Sequence, residues 1–428
     1  MALAYLLAAA LAFEVGRDAL RKLGDFQGYV AVGNHTLAGT DIYANPRLNT
    51  WPPFFSVAAV PIAAAANAAR KLTHLVWLLG AVWCVWVALD LLGRMAHGRK
   101  LDLRGLGPGR WRDRGAQAPP LLRPGRIALA HASALVPLLL SLRYLLDNLA
   151  NLQINTYLLA ACVGGVYLWS AGRALAGGAL VGLAASLKVY PLVLVAYFAA
   201  KREWRFAGGA LCCVVVCGLI PFAVWGPELA GEYYATWFET TVGADPYWGH
   251  KNQGYLATAT RFLSPVDAGG EQLGAFAVNF VSLSAKRAGL VAYGLVALIG
   301  LAVLHVYRRP LSRPLPPRDQ LEVAVAFALC ALLSPIAWKA YFVFLLPVVY
   351  QLYRYVHGDL RGVAAGAAGA NPQVLATAFY GAWGLTVASS ELFLGRVGSD
   401  LAEAYGAYAL GTVGLCATAV WLRAKAWH

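Results

Sequence analysis

Polar residues able to do chemistry are few in this chain, and they stand far apart in sequence. The stretch Asp25-Phe26-Gln27-Gly28-Tyr29 puts a carboxylate just beyond a first apolar run, with Gly39-Thr40-Asp41-Ile42-Tyr43 and Thr50-Trp51-Pro52-Pro53-Phe54-Phe55 close behind it. Lys188 interrupts a long apolar run, and further on come His250-Lys251-Asn252-Gln253, Arg261 and the pair Trp338-Lys339. The inventory is one base and several cations. A positioned carboxylate can take the proton of an attacking hydroxyl, and lysine or arginine can hold negative charge that grows on a departing group. A hydrolase acting on a glycosidic bond needs two paired carboxylates, and the sequence offers Asp25 no evident second partner. The basic loops carry no glycine-rich nucleotide loop and no carboxylate pair of metal-binding type, so neither a soluble nucleotide donor nor a metal or other cofactor is expected.

The elements that must position these residues are set by hydropathy. Of 428 residues 59% are hydrophobic and only 13% charged, and apolar runs recur along the whole length, which predicts an all-α polytopic membrane protein in the lipid bilayer. A formal net charge of +14 would suggest nucleic acid for a soluble chain. Here the basic residues stand in short loops between apolar runs, where they set topology, and no nucleic-acid partner is expected. The seven cysteines fall inside apolar runs without zinc-type spacing and read as small core residues. The run from Ala2 to Val15, extending toward Leu20, reads as a signal anchor rather than a cleaved leader.

Basic loops then assign the sides. The loop from Arg94 to Arg126 holds nine Lys or Arg residues and reads as cytoplasmic, which makes Phe54 to Ala69 a juxtamembrane helix along the outer face rather than a span. Spans are expected at Thr73 to Leu92, Ile127 to Leu146 and Gln153 to Ser170. The run Ala174 to Ala200 is about 40 Å long as a helix, too much for one upright span, and lies between basic residues at both ends. It is expected to form two short helices with Lys188-Val189-Tyr190-Pro191 at the turn. Phe206 to Trp225 leads to a long outer loop, and Ala288 to Tyr307, Leu321 to Pro335, Tyr341 to Tyr355, Val374 to Leu394 and Leu401 to Leu422 complete the count. The expectation is about twelve spans, both termini cytoplasmic, and one integral domain over residues 1–428 whose outer loops 21–72 and 226–287 contribute an extracytoplasmic active site.

On that topology Asp25, Asp41, Lys188, His250, Asn252, Arg261, Trp338 and Lys339 share the outer face. Cations there run against the positive-inside trend, so Lys188 and Lys339 invite a functional reading; snorkelling to headgroups is the plain alternative. His250 as a solvated loop residue, Asp41 as a turn anchor beside Tyr43, and Asp25 as a helix N-cap are the corresponding structural readings.

The order and content of these stretches resemble glycosyltransferase family 87. The resemblance rests on Asp25-Phe26 with Tyr29, Gly39 with Asp41-Ile42-Tyr43, Trp51-Pro52-Pro53-Phe54-Phe55, Gly182 through Pro191, Asn252-Gln253, and Leu333-Ser334-Pro335-Ile336-Ala337-Trp338. It implies a GT-C-like fold and an inverting transfer of a sugar, mannose in the first instance, from a polyprenyl-phosphate carrier to a hydroxyl of a glycolipid or glycan acceptor. It also implies that Asp25, the aspartate of the first outer loop, is the general base. Lys188 is expected at the carrier phosphate, with Arg261 and Lys339 as further candidates, and Tyr29, Asp41, Tyr43, His250, Asn252, Gln253 and Trp338 as substrate-binding residues. Lys339-Ala340-Tyr341 stands where an acidic or histidine-containing pair is common in that family, which bears on the sugar and acceptor rather than on the reaction. The competing class is a secondary transporter or lipid-linked sugar flippase, for which internal repeats and a midplane site are expected.

Overall fold

In a computed structural model, residues 24–44, 49–97, 134–242, 247–269, 273–362 and 371–426 are described below. Their regular elements are all helical, with no strand among the described residues. The chain order is α1 (Phe26–Ala38), α2 (Pro53–Ala58), α3 (Val60–His97), α4 (Leu142–Ala150), α5 (Asn155–Ser170), α6 (Ala174–Leu187), α7 (Leu192–Ala200) and α8 (Trp204–Trp237). There follow α9 (Tyr255–Leu263), α10 (Ala285–Val306), α11 (Pro317–Leu332), a 3-10 turn (Lys339–Leu345), α12 (Leu346–Val356), α13 (Pro372–Ala388), α14 (Glu391–Ala404) and α15 (Ala407–Ala426).

Four of the described stretches, Pro53–His97, Trp204–Thr241, Ala285–Val306 and Ala407–Lys425, are long and apolar enough to cross a membrane unaided. Their exposed faces are greasy: Leu72, Leu75, Leu79 and Trp83 on α3, and Leu290 and Leu298 on α10, project away from the protein. In water such surfaces would drive aggregation; in lipid they need no partner. The expected signal anchor, most of the Arg94 loop, the start of the Ile127 run and most of the Gly362–Gly369 linker lie outside the described residues.

The expected junctions appear as backbone breaks. Ala69 interrupts α3 with φ −151° and ψ 69°, immediately before Arg70-Lys71, so the alanine-rich segment and the following apolar run have separate axes. The run from Ala174 splits into α6 and α7 with residues 188–191 between them. Two differences concern loops expected on the outer side. The stretch after Trp225 is not loop at first: the chain turns at Gly226 (φ 79°, ψ 168°) and continues as helix to Trp237. Proline at 227 suits a new first turn, and the left-handed glycine supplies the corner. The short connection expected between the last two spans is instead α14, itself kinked at Gly395. Its Asp400 and Glu403 are buried, although Asp400 falls in the expected loop and Glu403 at the start of the expected last span.

Close helix contact is what places Lys188. A Cβ on Gly178 would stand 1.9 Å from the Phe206 carbonyl oxygen, and one on Gly182 would stand 2.3 Å from that of Ala210. The backbones of α6 and α8 therefore touch along a glycine stripe, the packing that membrane helices use in place of hydrophobic burial. At the other end of the bundle Glu322 lies between Lys201 (2.5 Å) and Arg423 (2.7 Å), joining α11 to the ends of α7 and α15.

Candidate active site

Gly24 and Asp25 form a turn ahead of α1. Gly24 has φ +41°, and a Cβ there would lie 2.4 Å from the Asn151 carbonyl oxygen, so only glycine lets the two segments close. The Asp25 N–H donates to that same oxygen at 2.9 Å. Its side chain makes no capping bond to α1, which removes the N-cap explanation for the residue. The carboxylate is half-buried; burial pushes its pKa above the ordinary value, while the charge of Lys188 opposes the shift.

Lys188 ends α6 in an extended conformation and is 7% exposed, so it is not reaching out to headgroups. Its Nζ donates to Asn155 Oδ1 at 3.1 Å and lies 4.4 Å from the centre of the Tyr341 ring. Tyr190 donates to the same Asn155 oxygen at 3.2 Å, and Asn155 is oriented by its own bond to Gln153 Oε1 at 2.7 Å. Burial drives the lysine pKa down to about 8, with Asp25 pulling in the other direction. Tyr29 closes the back of this end: its hydroxyl accepts the Ile154 N–H at 3.2 Å, and its ring packs on Trp51 and Phe55 at 5.0 and 5.2 Å.

A second group of charges continues from the first. Asp147 lies just past the apolar run that closes at Leu146, in the last part of α4. Burial pushes its pKa up to about 6; Lys339 and Arg143 lower it, and the carboxylates of Glu403 and Asp25 add to the rise. Asn148 donates to the Ala340 carbonyl at 2.7 Å and so pins α4 to the 3-10 turn that carries Lys339. Lys339 Nζ is 2.6 Å from Glu403 Oε1, and Arg143 reaches the same oxygen at 3.8 Å. His250, 1% exposed, brings Nε2 to 3.4 Å from Asp400 Oδ1. Asp25, Lys188, Asp147, Lys339 and Glu403 thus form one electrostatically connected group, drawn from five separate parts of the chain.

Other expected site residues hold the framework instead. Arg261, fully buried, donates to the carbonyls of Ala404, Trp248, Gly249, Asn252 and Glu403 and to the Thr258 hydroxyl. It is a clamp between the His250 loop and α14, not a cation available to a phosphate, and that expectation is corrected. Asn252 donates to the carbonyls of Tyr247 and Pro335 and accepts from the N–H groups of Gly254 and Ala337. Gln253 donates to the Glu403 carbonyl at 2.6 Å and accepts from the Tyr408 N–H at 3.3 Å. Asp41 is exposed and accepts the Tyr43 N–H at 2.8 Å, while the Tyr43 hydroxyl donates to the Trp51 carbonyl at 2.7 Å. Tyr43 packs with Ile42 and Tyr233 in a small cluster separate from the main core. Trp338 is 38% exposed and stacks on Tyr247 at 5.9 Å, so its indole is open to a ligand.

The sequence reading missed Asp147, Arg143, Asn155, Asp400 and Glu403. Asp147 also bears on the reading that Asp25 has no evident second acid, since the Asp25 charge is among the causes that raise the Asp147 pKa. The signal that could have found them is the cost of charge in an apolar setting: Arg143 sits inside an expected span, and Asp400 and Glu403 share one face of a short helix at i and i+3.

No curated protein and no solved structure matches the chain. A family model does, glycosyltransferase family 87, over residues 49–335, which takes in Asp147, Lys188, His250 and Arg261 and leaves Asp25, Lys339 and Glu403 outside the matched span. That match runs over about two thirds of the sequence and agrees with the resemblance carried by the motifs, and on it this all-helical membrane chain belongs to glycosyltransferase family 87.

Proposed function

We propose that the protein transfers a sugar, mannose in the first instance, from a polyprenyl-phosphate carrier to a hydroxyl of a glycolipid or glycan, with inversion at the sugar carbon. The observation that carries this reading is the coupling of a half-buried carboxylate, Asp25, to a buried lysine that has no carboxylate in contact with it among the described residues. Family membership sets aside the transporter and flippase alternative.

In the proposed step the acceptor oxygen attacks the anomeric carbon as Asp25 takes its proton, and the bond from that carbon to the carrier phosphate breaks. The phosphate leaves as a weak base and needs no proton donor, only positive charge in a site shielded from water. Lys188 supplies that charge, and Lys339, held by Glu403 beside Asp147, supplies more. Trp338 offers an open aromatic face to a sugar or acceptor, and Tyr29 keeps the Asp25 end rigid. Asn252 and Gln253 act through the backbone they fix, and Asp41 and Tyr43 through the loop they close.

The reading includes a GT-C-like arrangement of about twelve spans, both termini cytoplasmic and the active site extracytoplasmic. Its support is charge: Lys201 and Arg423 meet at Glu322, and Lys201 stands at the opposite end of α7 from Lys188. Detergent-purified protein given a radiolabelled polyprenyl-phosphate sugar and a glycolipid acceptor is expected to form labelled glycolipid. Movement of intact donor across vesicles without any transfer would overturn the proposal.

A further inference from the structure

Beyond the transfer step, the outer end of the molecule contains a group of side chains that the base and the phosphate cations do not account for. His250, Asp400 and Glu403 each present one ligating atom, all three within 4.8 Å of one another, and all three residues are buried. They come from the loop before α9 and from α14, about 150 residues apart in sequence.

Their hydrogen bonding is incomplete in a particular way. Neither ring nitrogen of His250 has a hydrogen-bond partner, although the residue is 1% exposed; the 3.4 Å approach to Asp400 Oδ1 lacks hydrogen-bond geometry. Glu403 is fully buried and divides its carboxylate: Oε1 takes Lys339, Arg143 and the Ser399 hydroxyl, while Oε2 has no partner. Buried polar atoms are almost always satisfied, so an imidazole with both nitrogens idle beside an idle carboxylate oxygen needs an explanation. A protonated histidine bridging two acids would aim an N–H at one of them, and neither nitrogen does.

We propose that His250, Asp400 and Glu403 bind one divalent transition metal, of the Zn2+ or Mn2+ type. One imidazole nitrogen with two carboxylate oxygens suits such an ion better than Mg2+ or Ca2+, which favour all-oxygen shells. Metal bonds of about 2.0–2.2 Å require the three atoms to draw together by about an ångström, within the reach of carboxylate rotation. Lys339 and Arg143 remain on Glu403 Oε1, leaving Oε2 for the ion. The ion joins the His250 loop to α14 at the same junction where Arg261 and Gln253 already bind backbone, and three protein ligands leave a position open toward solvent or substrate.

The test measures metal, not sugar transfer, so its failure is separate from failure of the proposed reaction. Full-length protein in detergent is stripped with a chelator, then titrated with Zn2+, Mn2+ and Mg2+, with bound metal measured by mass spectrometry and stability by thermal shift. The expected result is about one equivalent of Zn2+ or Mn2+ per chain with a higher Tm, and little effect of Mg2+. His250→Ala and the conservative Asp400→Asn are expected to lose the ion and the Tm response, while Asp25→Asn keeps both. A stripped wild-type protein that binds neither Zn2+ nor Mn2+ overturns the proposal without recourse to any variant, as does binding that is undiminished in His250→Ala and Asp400→Asn.

Discussion

The ammonium of Lys188 lies 4.4 Å from the centre of the Tyr341 ring and donates to the neutral amide of Asn155, so the nearest strong partners of this buried cation carry no formal charge. A lysine in that setting holds its charge weakly, and its pKa falls to about 8. An arriving phosphate is the anion the position lacks.

From this follows the pH profile of transfer. Asp25 works deprotonated, and burial raises its pKa, so activity falls as pH drops through a value above the ordinary carboxylate range. Lys188 works protonated, so donor affinity weakens as pH rises past about 8. Lys188→Gln removes both the alkaline limb and the charge that holds the Asp25 pKa down. The acid limb is therefore expected to move to higher pH, with kcat/KM lowered about a hundredfold or more. Initial rates from pH 4 to 10 on both proteins check this. An alkaline limb that is unchanged in the variant would assign it to another group.

Gly24 is expected to be intolerant for a local reason. Alanine there meets the Asn151 carbonyl at 2.4 Å in a left-handed backbone, which forces the turn to shift and carries Asp25 with it. A displacement of about 1 Å in a reacting group costs as much as about a hundredfold in rate. Gly24→Ala should therefore lower kcat by at least about tenfold while the bulk of the helices stays folded. Wild-type kcat in this variant would show that the Gly24 turn does not set the base.

Arg261 is expected to act on stability. Arg261→Ala strands five buried carbonyls that the guanidinium now binds, a loss of about 3 kcal/mol or more. The Tm should drop markedly in thermal shift, and the fraction that remains folded should keep its affinity for the lipid donor. A variant with normal Tm and lost donor binding would restore Arg261 to the phosphate.

Much of the scaffold was legible because membrane topology is written in one dimension. The split of the Ala174 run at Lys188 and the break at Ala69 both follow from run length and flanking basic residues, and both appear in the backbone. Arg261 was misread because burial cannot be seen in an isolated polar segment: nothing local marks it as facing five carbonyls. Asp147 and Glu403 were missed for the opposite reason. Asp147 looks like an ordinary loop acid until the 3-10 turn brings Lys339 near it, and Glu403, inside the expected last span, finds its partners only when Lys339 and Arg143 reach it from distant parts of the chain. Asn155 was hidden because a neutral amide at the start of an apolar span gives no signal; its role comes from Lys188 and Tyr190 converging on one oxygen.

The central claim is that Asp25 is the base, and Asp147 and Asp41 are the acids against which it is measured. Asp25→Asn keeps size and hydrogen bonding but removes basicity, a contribution of about a hundred- to ten-thousandfold. Asp41→Asn disturbs one exposed turn, and Asp147→Asn removes a neighbouring charge, so both should retain transfer. The most direct measurement is sugar transfer by Asp25→Asn beside binding of the radiolabelled lipid donor to the same preparation. The account expects donor binding near that of the unmodified protein with transfer abolished; robust transfer by Asp25→Asn, above all with Asp147→Asn inactive, would contradict it.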